Sequence, residues 1–189
     1  MDLKKAIETR RSIGIVKQDP VPQKLIEEAL DAATYAPNHY RTEPWRFFVL
    51  EGDARKRFGD VLAKIAQSEM KEPLSATDQL KLEREKEKPL RAPIIIAVAV
   101  EPSDKKNVIV QEEYAAVDAA VQNMLLTLHS AGLGAVWRTG PVCYHDKVKS
   151  FFRLSEKGDM IGFIYVGYPA MEPKEKPKCD YKKYTEWLS

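Results

Sequence analysis

The sequence predicts an α/β or α+β domain in which helices cover one sheet of about four strands. Residues 94–100 form a continuous apolar run rich in β-branched residues, which is typical of a strand covered on both faces. Residues 112–131 are apolar nearly all round, as in a helix that is buried on several sides. Helical and strand patterns alternate along 189 residues, a length that suits one domain, residues 1–189, with a full core.

The first two helices have clear start and stop signals. Asp2 can cap a helix with apolar residues at helical spacing, and this helix ends near Arg10. After the rigid connection at 19–22, Pro22 suits the first turn of a second helix. Pro37 ends that helix, because the residue before a proline disfavours helical backbone.

The remaining elements follow from apolar patterns bounded by turn residues. Gly52 lies in the turn after the first strand, and Gly132 with Gly134 forms the stop signal of the long helix. The pattern predicts strands at residues 46–50, 94–100, 135–137 and 160–166, and helices at residues 54–70, 112–131 and 146–152.

Residues 69–91 differ in composition from the rest of the chain. Positions 83–88 are all charged, which indicates a solvated helix face with ion pairs one turn apart. Because the segment is polar and bounded by Pro73 and Pro89, a second interpretation is a mobile cover over a pocket.

The tail, residues 170–189, ends in an aromatic cluster. Tyr181, Tyr184 and Trp187 are too much aromatic surface for a free tail. We therefore expect the tail to pack along its own subunit or a partner subunit.

Composition argues against several classes of protein. The formal net charge of +2 gives no field that favours nucleic acid or an anionic membrane. Cys143 and Cys179 lie outside any metal-binding spacing, so neither a disulfide framework nor a zinc site is expected. Asp118 interrupts the longest apolar stretch, and the first residues lack a signal-peptide pattern, so the expected location is the reducing cytoplasm.

The long helix also bears on assembly. Its polar residues Asp118, Gln122 and His129 occupy a narrow stripe, and apolar residues cover the rest. A second subunit is the simplest cover for such a helix in a small protein, so we predict a homodimer. Burial within one subunit is the alternative.

Two short motifs place arginine beside a hydroxyl residue, a pairing that suits a phosphate. They are Arg10-Arg11-Ser12 at the end of the first helix, and Arg138-Thr139 where a predicted strand runs into a turn. The second motif follows Trp137, and strand ends are common ligand positions in α/β proteins. The two motifs together favour a phosphate site only if they meet in space.

Other chemistries have little support. His39 lies in a loop without a Ser/His/Asp or Cys/His set around it, so triad catalysis is not expected. Asp118, Glu112 and Glu113 have no metal-ligand spacing. No glycine-rich phosphate loop of the Rossmann or P-loop type occurs, so side chains would have to hold any nucleotide.

Three motifs in this order resemble the FMN-dependent nitroreductase family. They are Arg-Arg-Ser at 10–12, Ala-Pro-Asn-His at 36–39 followed by Pro-Trp at 44–45, and Gly-Ala-Val-Trp-Arg-Thr-Gly at 134–140. The resemblance is to the short subgroup with a Pro-x-His loop and a Trp-Arg-Ser/Thr-Gly turn. It implies an α+β fold, a three-layer α-β-α sandwich with a mixed sheet flanked by helices, in an intertwined homodimer with FMN at the subunit interface.

The resemblance also implies eight flavin-binding residues and no catalytic protein residue or metal. Arg10, Arg11 and Ser12 would bind the phosphate, ribityl chain or ring edge, and Trp137, Arg138 and Thr139 would hold the phosphate side. His39 and Tyr35 would reach the flavin from the partner subunit.

Three positions depart from the family pattern. Gly14 stands where many members have a basic residue, Tyr35 where the subgroup can have arginine, and Glu43 where glutamine is common. The C-terminal basic phosphate contact of longer members has no clear match. These departures leave the redox potential of the flavin open.

The implied activity is hydride transfer from NADH or NADPH to flavin N5, followed by electron transfer to a nitroaromatic, a quinone or a similar small molecule. Arg10 or Arg11 is the candidate donor near flavin N1, where negative charge develops. Two alternatives stay open: a protein that stores or senses FMN, and a flavin enzyme for a specific metabolite, of the dehalogenating or flavin-fragmenting type. The reductant and the acceptor also stay open.

Overall fold

The computed structural model describes residues 1–173 and 179–188. Its helices are α1 (Leu3–Thr9), α2 (Gln23–Thr34), α3 (Asp53–Ser68), α4 (Ala76–Glu87), α5 (Val110–Ser130) and α6 (Asp146–Phe151). Its strands are β1 (Trp45–Leu50), β2 (Ile94–Val100), β3 (Gly134–Arg138) and β4 (Asp159–Gly167). Short 3-10 helices span Lys88–Arg91, Pro141–Tyr144 and Tyr181–Tyr184. Every helix and strand for which the sequence predicted bounds is present, and both of its ends lie within two residues of the predicted positions.

The four strands form one antiparallel sheet in the order β1-β2-β4-β3. The central strand β2 is buried along its whole length, as its β-branched run predicts. Parallel pairing enters at one isolated bridge, where Ser12 lies beside Ala135 on edge strand β3. The mixed sheet that the resemblance implied is therefore not formed by the four described strands, which all pair antiparallel, and the isolated bridge brings the chain after α1 to the sheet edge.

Helices cover both faces of the sheet, which makes the fold a three-layer α+β sandwich. Successive strand residues point to opposite faces. One face packs Ile96 and Val98 against α2 and α5, and the other packs Ile95 and Ala97 against α3 and α6.

Helix α5 buries most of its apolar surface within its own chain. Val117, Val121, Met124 and Leu128 are fully buried against α2 and the sheet. Because one subunit provides this cover, the apolar character of α5 does not by itself require a partner. Support for a homodimer has to come from contacts other than the apolar surface of α5.

The charged segment forms a helix held close to α3. Ser75 and Asp78 make a reciprocal capping box at the start of α4. At Gly59 of α3, an added Cβ would collide with the backbone carbonyl of Lys86, so the two helices pack with no side chain between them at that point. The predicted solvated helix is confirmed, since α4 has no buried residue.

The described part of the tail leaves its aromatic residues exposed. Tyr184 and Trp187 are 79% and 87% exposed in the single chain. Packing of residues 170–189 on a subunit stays a prediction, and residues 174–178 and 189 lie outside the described residues. Among the residues that the structure describes, no helix is long and apolar enough to cross a membrane.

Candidate functional site

The Arg-Arg-Ser motif lies along the edge of the sheet. Arg10 ends α1, with its backbone N–H donating to the carbonyl of Ala6 at 3.0 Å. The chain then runs beside β3, where the N–H of Ile13 donates to the carbonyl of Ala135 at 3.0 Å. Gly134 permits this close approach, because an added Cβ there would lie 2.8 Å from Cγ2 of Ile13. The motif is thus held against the strand that ends in Arg138.

Arg138 extends back toward this same segment. Its Nη2 atom lies 3.8 Å from the position a Cβ would occupy on Gly14. The backbones of the two arginine motifs therefore run side by side at one edge of the sheet, an arrangement that is compatible with a shared phosphate site.

Arg10 and Arg11 form a cationic pair at the end of α1, and Arg138 lies near Gly14 on the same edge of the sheet. Burial, together with the neighbouring charge of Arg11, lowers the pKa of Arg10. Arg11 donates from Nη1 to the carbonyls of Glu8 and Arg10 at 2.7 and 2.9 Å, so part of its guanidinium caps α1. Buried Nε of Arg138 has no hydrogen-bond partner among the described residues. No ion pair to these arginines occurs in the described ranges, and an anion would satisfy them.

Trp137 has a different surrounding from Arg138. Its indole Nε1–H donates to the carbonyl of Ile161 at 3.1 Å, and its ring packs against the α2–α5 side of the core. Gly162 leaves room for this indole, since an added Cβ would collide with it. The side chain is therefore anchored in the core. Thr139, two residues after Trp137, is exposed at the turn that Gly140 makes with a φ of 126°.

A cavity of about 400 Å³ opens beside Arg138 and Thr139. Phe58, Phe163 and Tyr165 line it from the α3 side of the sheet, and Glu85, Lys88 and Arg91 line it from the charged segment. A neighbouring cavity of about 450 Å³ shares Glu85, Lys88 and Thr139. The segment 69–91 thus forms one wall of the cavity, whereas the larger cleft of about 860 Å³ between α3 and α4 contains none of the predicted site residues.

A buried carboxylate shapes the loop that carries His39. Glu113, at the start of α5, is only 2% exposed. Its side chain accepts hydrogen bonds from Thr42 Oγ1 at 2.5 Å, from Asn38 Nδ2 at 3.2 Å and from the backbone N–H of Ser103 at 3.2 Å. Asn38 also accepts from the N–H of Glu43 at 2.9 Å. The loop conformation therefore depends on one buried acid.

His39 is oriented by the residue next to that acid. Its Nδ1 lies 2.8 Å from Oε2 of Glu112, and its ring stacks on Tyr40 with 4.2 Å between centroids. With the proton on Nδ1, the His39 ring donates a hydrogen bond to the Glu112 carboxylate, and Nε2 takes no part in this contact. His39 is exposed, and Tyr35 at the end of α2 is 78% exposed.

The His39 loop and the Arg-Arg-Ser motif lie at opposite ends of α5. Glu112 holds His39 in the first turn of the helix, while His129 in the last turn lies 2.8 Å from Oγ1 of Thr9, next to Arg10. At about 1.5 Å per residue these ends are about 25 Å apart. The structure brings Arg10, Arg11, Ser12 and Arg138 to one edge, but it does not bring His39 of the same chain to them.

Sequence reasoning missed several residues that shape the site. Glu113 was considered only as a metal ligand, although a carboxylate in the apolar stretch of a buried helix signals a hydrogen-bonded structural role. Lys88, Arg91 and Tyr165 reach the cavity through packing between distant segments, and no local pattern marks them. Within residues 1–173 and 179–188, no cluster of His, Cys, Asp or Glu could hold a metal.

Comparison with known proteins identifies the family. The sequence profile of the Nitroreductase family matches residues 7–168. YfhC of Bacillus subtilis, a protein named for NAD(P)H nitroreductase activity, is 31% identical over 185 residues, which cover 97% of this chain and 93% of YfhC. Iodotyrosine deiodinase 1 of Sus scrofa is 29% identical over 174 residues, covering 86% of this chain and 60% of the deiodinase.

A solved structure supports the same assignment at the level of the fold. A nitroreductase-like family protein from Bacillus cereus matches with a TM-score of 0.81 at 27% identity, covering 100% of this chain and 96% of that chain. The predicted nitroreductase family and the predicted three-layer α+β sandwich are both confirmed. Because the family profile spans most of its length, the chain belongs to the nitroreductase family.

Proposed function

We propose that the protein is an FMN-dependent oxidoreductase that takes a hydride from NADH or NADPH and reduces a nitroaromatic, a quinone or a similar small acceptor. Family membership and the name of YfhC support this activity. The observation that carries it is the buried Nε of Arg138, a cationic donor without a described partner beside the Arg-Arg-Ser motif. A flavin mononucleotide phosphate supplies the missing acceptors.

The residues at the edge of β3 fit this cofactor. Arg138 and Ser12 can donate to the phosphate, and Thr139 adds a hydroxyl at the same strand end. Arg10 is the better candidate than Arg11 for a donor near the ring, because Arg11 already donates to backbone carbonyls of α1. Trp137 would hold the end of β3 in place beside the cofactor, because its indole is anchored in the core. When bound, the flavin supplies the hydride acceptor, and the protein provides orientation and positive charge.

A homodimer completes the site. His39 and the Arg-Arg-Ser motif of one chain are too far apart along α5 to enclose the same flavin, so His39 and Tyr35 of a second copy take that position. Exposed apolar side chains offer a surface for the second copy. They are Leu3, Ile7, Ile15, Tyr35, Ile109 and Val110.

The test is the colour and the anaerobic chemistry of the purified protein. We expect yellow protein, or protein that turns yellow when FMN is added, and loss of its visible absorbance with NADH or NADPH under anaerobic conditions. Stopped-flow mixing with nitroaromatics and quinones then identifies the acceptor and the preferred reductant. Protein that is colourless after incubation with excess FMN and removal of the free flavin would refute the proposal.

Reductive dehalogenation is a second candidate, because the pig iodotyrosine deiodinase aligns with 86% of this chain. The two activities give different products from matched substrates. Dehalogenation releases halide from an iodophenol under reducing conditions, whereas reduction of a nitro group releases no halide. Halide release faster than nitro reduction at equal substrate concentration would favour the second candidate.

A further inference from the structure

Glu112 and Glu113 are adjacent in the first turn of α5 and make different kinds of contact. Glu113 is buried and accepts hydrogen bonds from the side chains of Thr42 and Asn38, so it fixes the conformation of the loop. Glu112 contacts the ring of His39 at 2.8 Å. Both side chains of this second pair are exposed in the single chain, so the contact contributes little to folding stability. The pairing of Glu112 with His39 therefore needs an explanation other than stability.

Three contacts within the chain hold the imidazole of His39. The loop is anchored through Asn38, whose amide donates to Glu113 at 3.2 Å. One face of the ring stacks on Tyr40, with an angle of 21° between the two planes. Nδ1 lies against the carboxylate of Glu112. In the part of the chain that the structure describes, Nε2 takes part in no hydrogen bond, so this nitrogen is available to a ligand.

The contact with Glu112 determines which nitrogen of the His39 ring carries the proton. An ionised carboxylate accepts hydrogen bonds and donates none, so Nδ1 carries the proton in this contact. A neutral imidazole has a single N–H, and Nε2 is then an acceptor. A free histidine side chain in water prefers the opposite tautomer, with the proton on Nε2. Glu112 therefore sets both the orientation of the ring and the hydrogen-bonding character of Nε2.

The pair lies beside part of the surface that we assign to the second copy. Ile109 and Val110 precede Glu112 at the start of α5, and both are exposed apolar side chains. A second copy that covers them would also exclude water from Glu112 and His39. In a drier environment an unpaired carboxylate or imidazole costs free energy, whereas the hydrogen bond between the two satisfies both groups. The pairing thus suits a histidine that lies between two subunits.

We propose that Glu112 is a positioning residue for the cofactor site, and that it holds His39 of one copy with Nε2 presented as a hydrogen-bond acceptor to the flavin bound by the other copy. This inference rests on the proposed function and adds a residue to its site. Flavin mononucleotide has the donors that such an acceptor needs, namely the N3–H of the ring and the ribityl hydroxyl groups. Because the imidazole is already oriented, less conformational freedom is lost when the flavin binds. Glu112 acts only through His39.

A double-mutant cycle on FMN affinity tests whether Glu112 acts through His39. We expect E112A to weaken FMN binding about fivefold, which is the contribution of one oriented hydrogen bond, as measured by quenching of flavin fluorescence. In the H39A background the same substitution should change the affinity by no more than about twofold. E112Q keeps an uncharged acceptor of the same shape and should recover part of the affinity. The inference is overturned if E112A leaves FMN affinity unchanged, or weakens it equally with and without His39.

E83A serves as the matched control. Glu83 is an exposed carboxylate in α4 that pairs with Lys86 at 2.7 Å, so its removal breaks one exposed ion pair and changes the net charge as E112A does. We expect E83A to bind FMN as the wild type does. Urea denaturation of the two variants should show a similar, small loss of stability. A loss of FMN affinity in E83A equal to that in E112A overturns the inference.

The position of the His39 proton in flavin-free protein distinguishes failure of this inference from failure of the proposed function. The 15N chemical shifts of an imidazole differ strongly between a protonated and an unprotonated nitrogen, and H39A identifies the His39 signals. At alkaline pH we expect the proton of wild-type His39 on Nδ1, and a return toward the Nε2 tautomer in E112A. This result in protein that takes up no FMN would refute the flavin function and support the pairing. A His39 proton on Nε2 in the wild-type protein, or the same tautomer in E112A as in the wild type, overturns the inference.

Discussion

Glu112 and His129 lie at opposite ends of helix α5, about 25 Å apart along its axis, and each contacts a different segment predicted to bind flavin. Glu112 binds His39, and His129 contacts Thr9 beside Arg10. The helix therefore separates the two segments within one chain. If both segments contact one cofactor, as proposed above, one of them belongs to a second copy, so the proposed dimer can be tested without a structure of the interface.

Complementation between two defective chains tests that shared site. We expect R138Q and H39A each to bind FMN weakly as homodimers. A mixed dimer then has one site with both defects and one site with neither, so about half of the flavin binding returns. FMN content per purified heterodimer, isolated with two different affinity tags, measures this recovery. If the mixed dimer binds no more FMN than its parents, the two segments do not share a site across the interface.

Arg138 should contribute strongly to FMN affinity. Removing its charge in R138Q is expected to weaken FMN binding by at least about tenfold, because a charge-assisted phosphate contact contributes about 1.5–3 kcal/mol. Quenching of flavin fluorescence on titration gives the dissociation constant. R57Q, which removes the same charge from an exposed position on α3, should bind FMN as the wild type does. Equal affinity in R138Q and R57Q would contradict the assignment.

Glu113 should matter for stability, and its neighbour Glu112 should not. Replacing Glu113 by alanine leaves the Asn38 amide and the N–H of Ser103 without their acceptor, and Thr42 keeps only its longer hydrogen bond to Asn38. We expect E113A to lower the free energy of unfolding by about 3 kcal/mol, as measured by urea denaturation. E112A removes an exposed contact and should cost less than about 1 kcal/mol. A similar loss in both variants would show that the loop does not depend on the buried acid.

His129 should titrate below its ordinary pKa of 6.5. Burial lowers this pKa, and the charges of Arg10 and Arg11 lower it further. A histidine that is harder to protonate when folded stabilises the protein fully above pH 6.5. The stability falls as the pH drops from 6.5 toward the folded pKa. The chemical shift of the His129 ring, followed by NMR during a pH titration, measures the effect.

A bound anion should reverse part of that shift. Inorganic phosphate or FMN at the arginines neutralises the charge that opposes protonation of His129, so the pKa should rise toward 6.5. H129Q serves as the control for assignment of the NMR signal. A His129 pKa that does not respond to saturating FMN would place the bound phosphate away from Arg10 and Arg11.

The secondary structure of this protein was predictable because its signals are local. The run rich in β-branched residues at Ile94–Val100 indicated a covered strand, and the stop signal at Gly132 marked the end of α5 within two residues. The two arginine motifs were also visible, since each lies within three consecutive residues. For these features, neighbouring residues along the chain contain the necessary information.

The local sequence of helix α5 did not determine which of its faces a partner would have to cover. The apolar circumference of α5 suggested a partner, but Val117 and Met124 are buried by α2 and the sheet of the same chain. How many faces of a helix its own subunit covers depends on the placement of distant elements. The positions of His39 and Thr9 along α5 provide a better argument for a second copy.

The sequence by itself determined the order of helices and strands, the arginine and hydroxyl pairs, and the resemblance that led to the family. Only the tertiary structure decided that Arg138 lies against Gly14, that Glu113 holds the His39 loop, and that Arg91 reaches the cavity. The physical reason is the range of the interactions. Backbone preference and periodicity act between neighbours, whereas these contacts join segments that meet only after the core has packed.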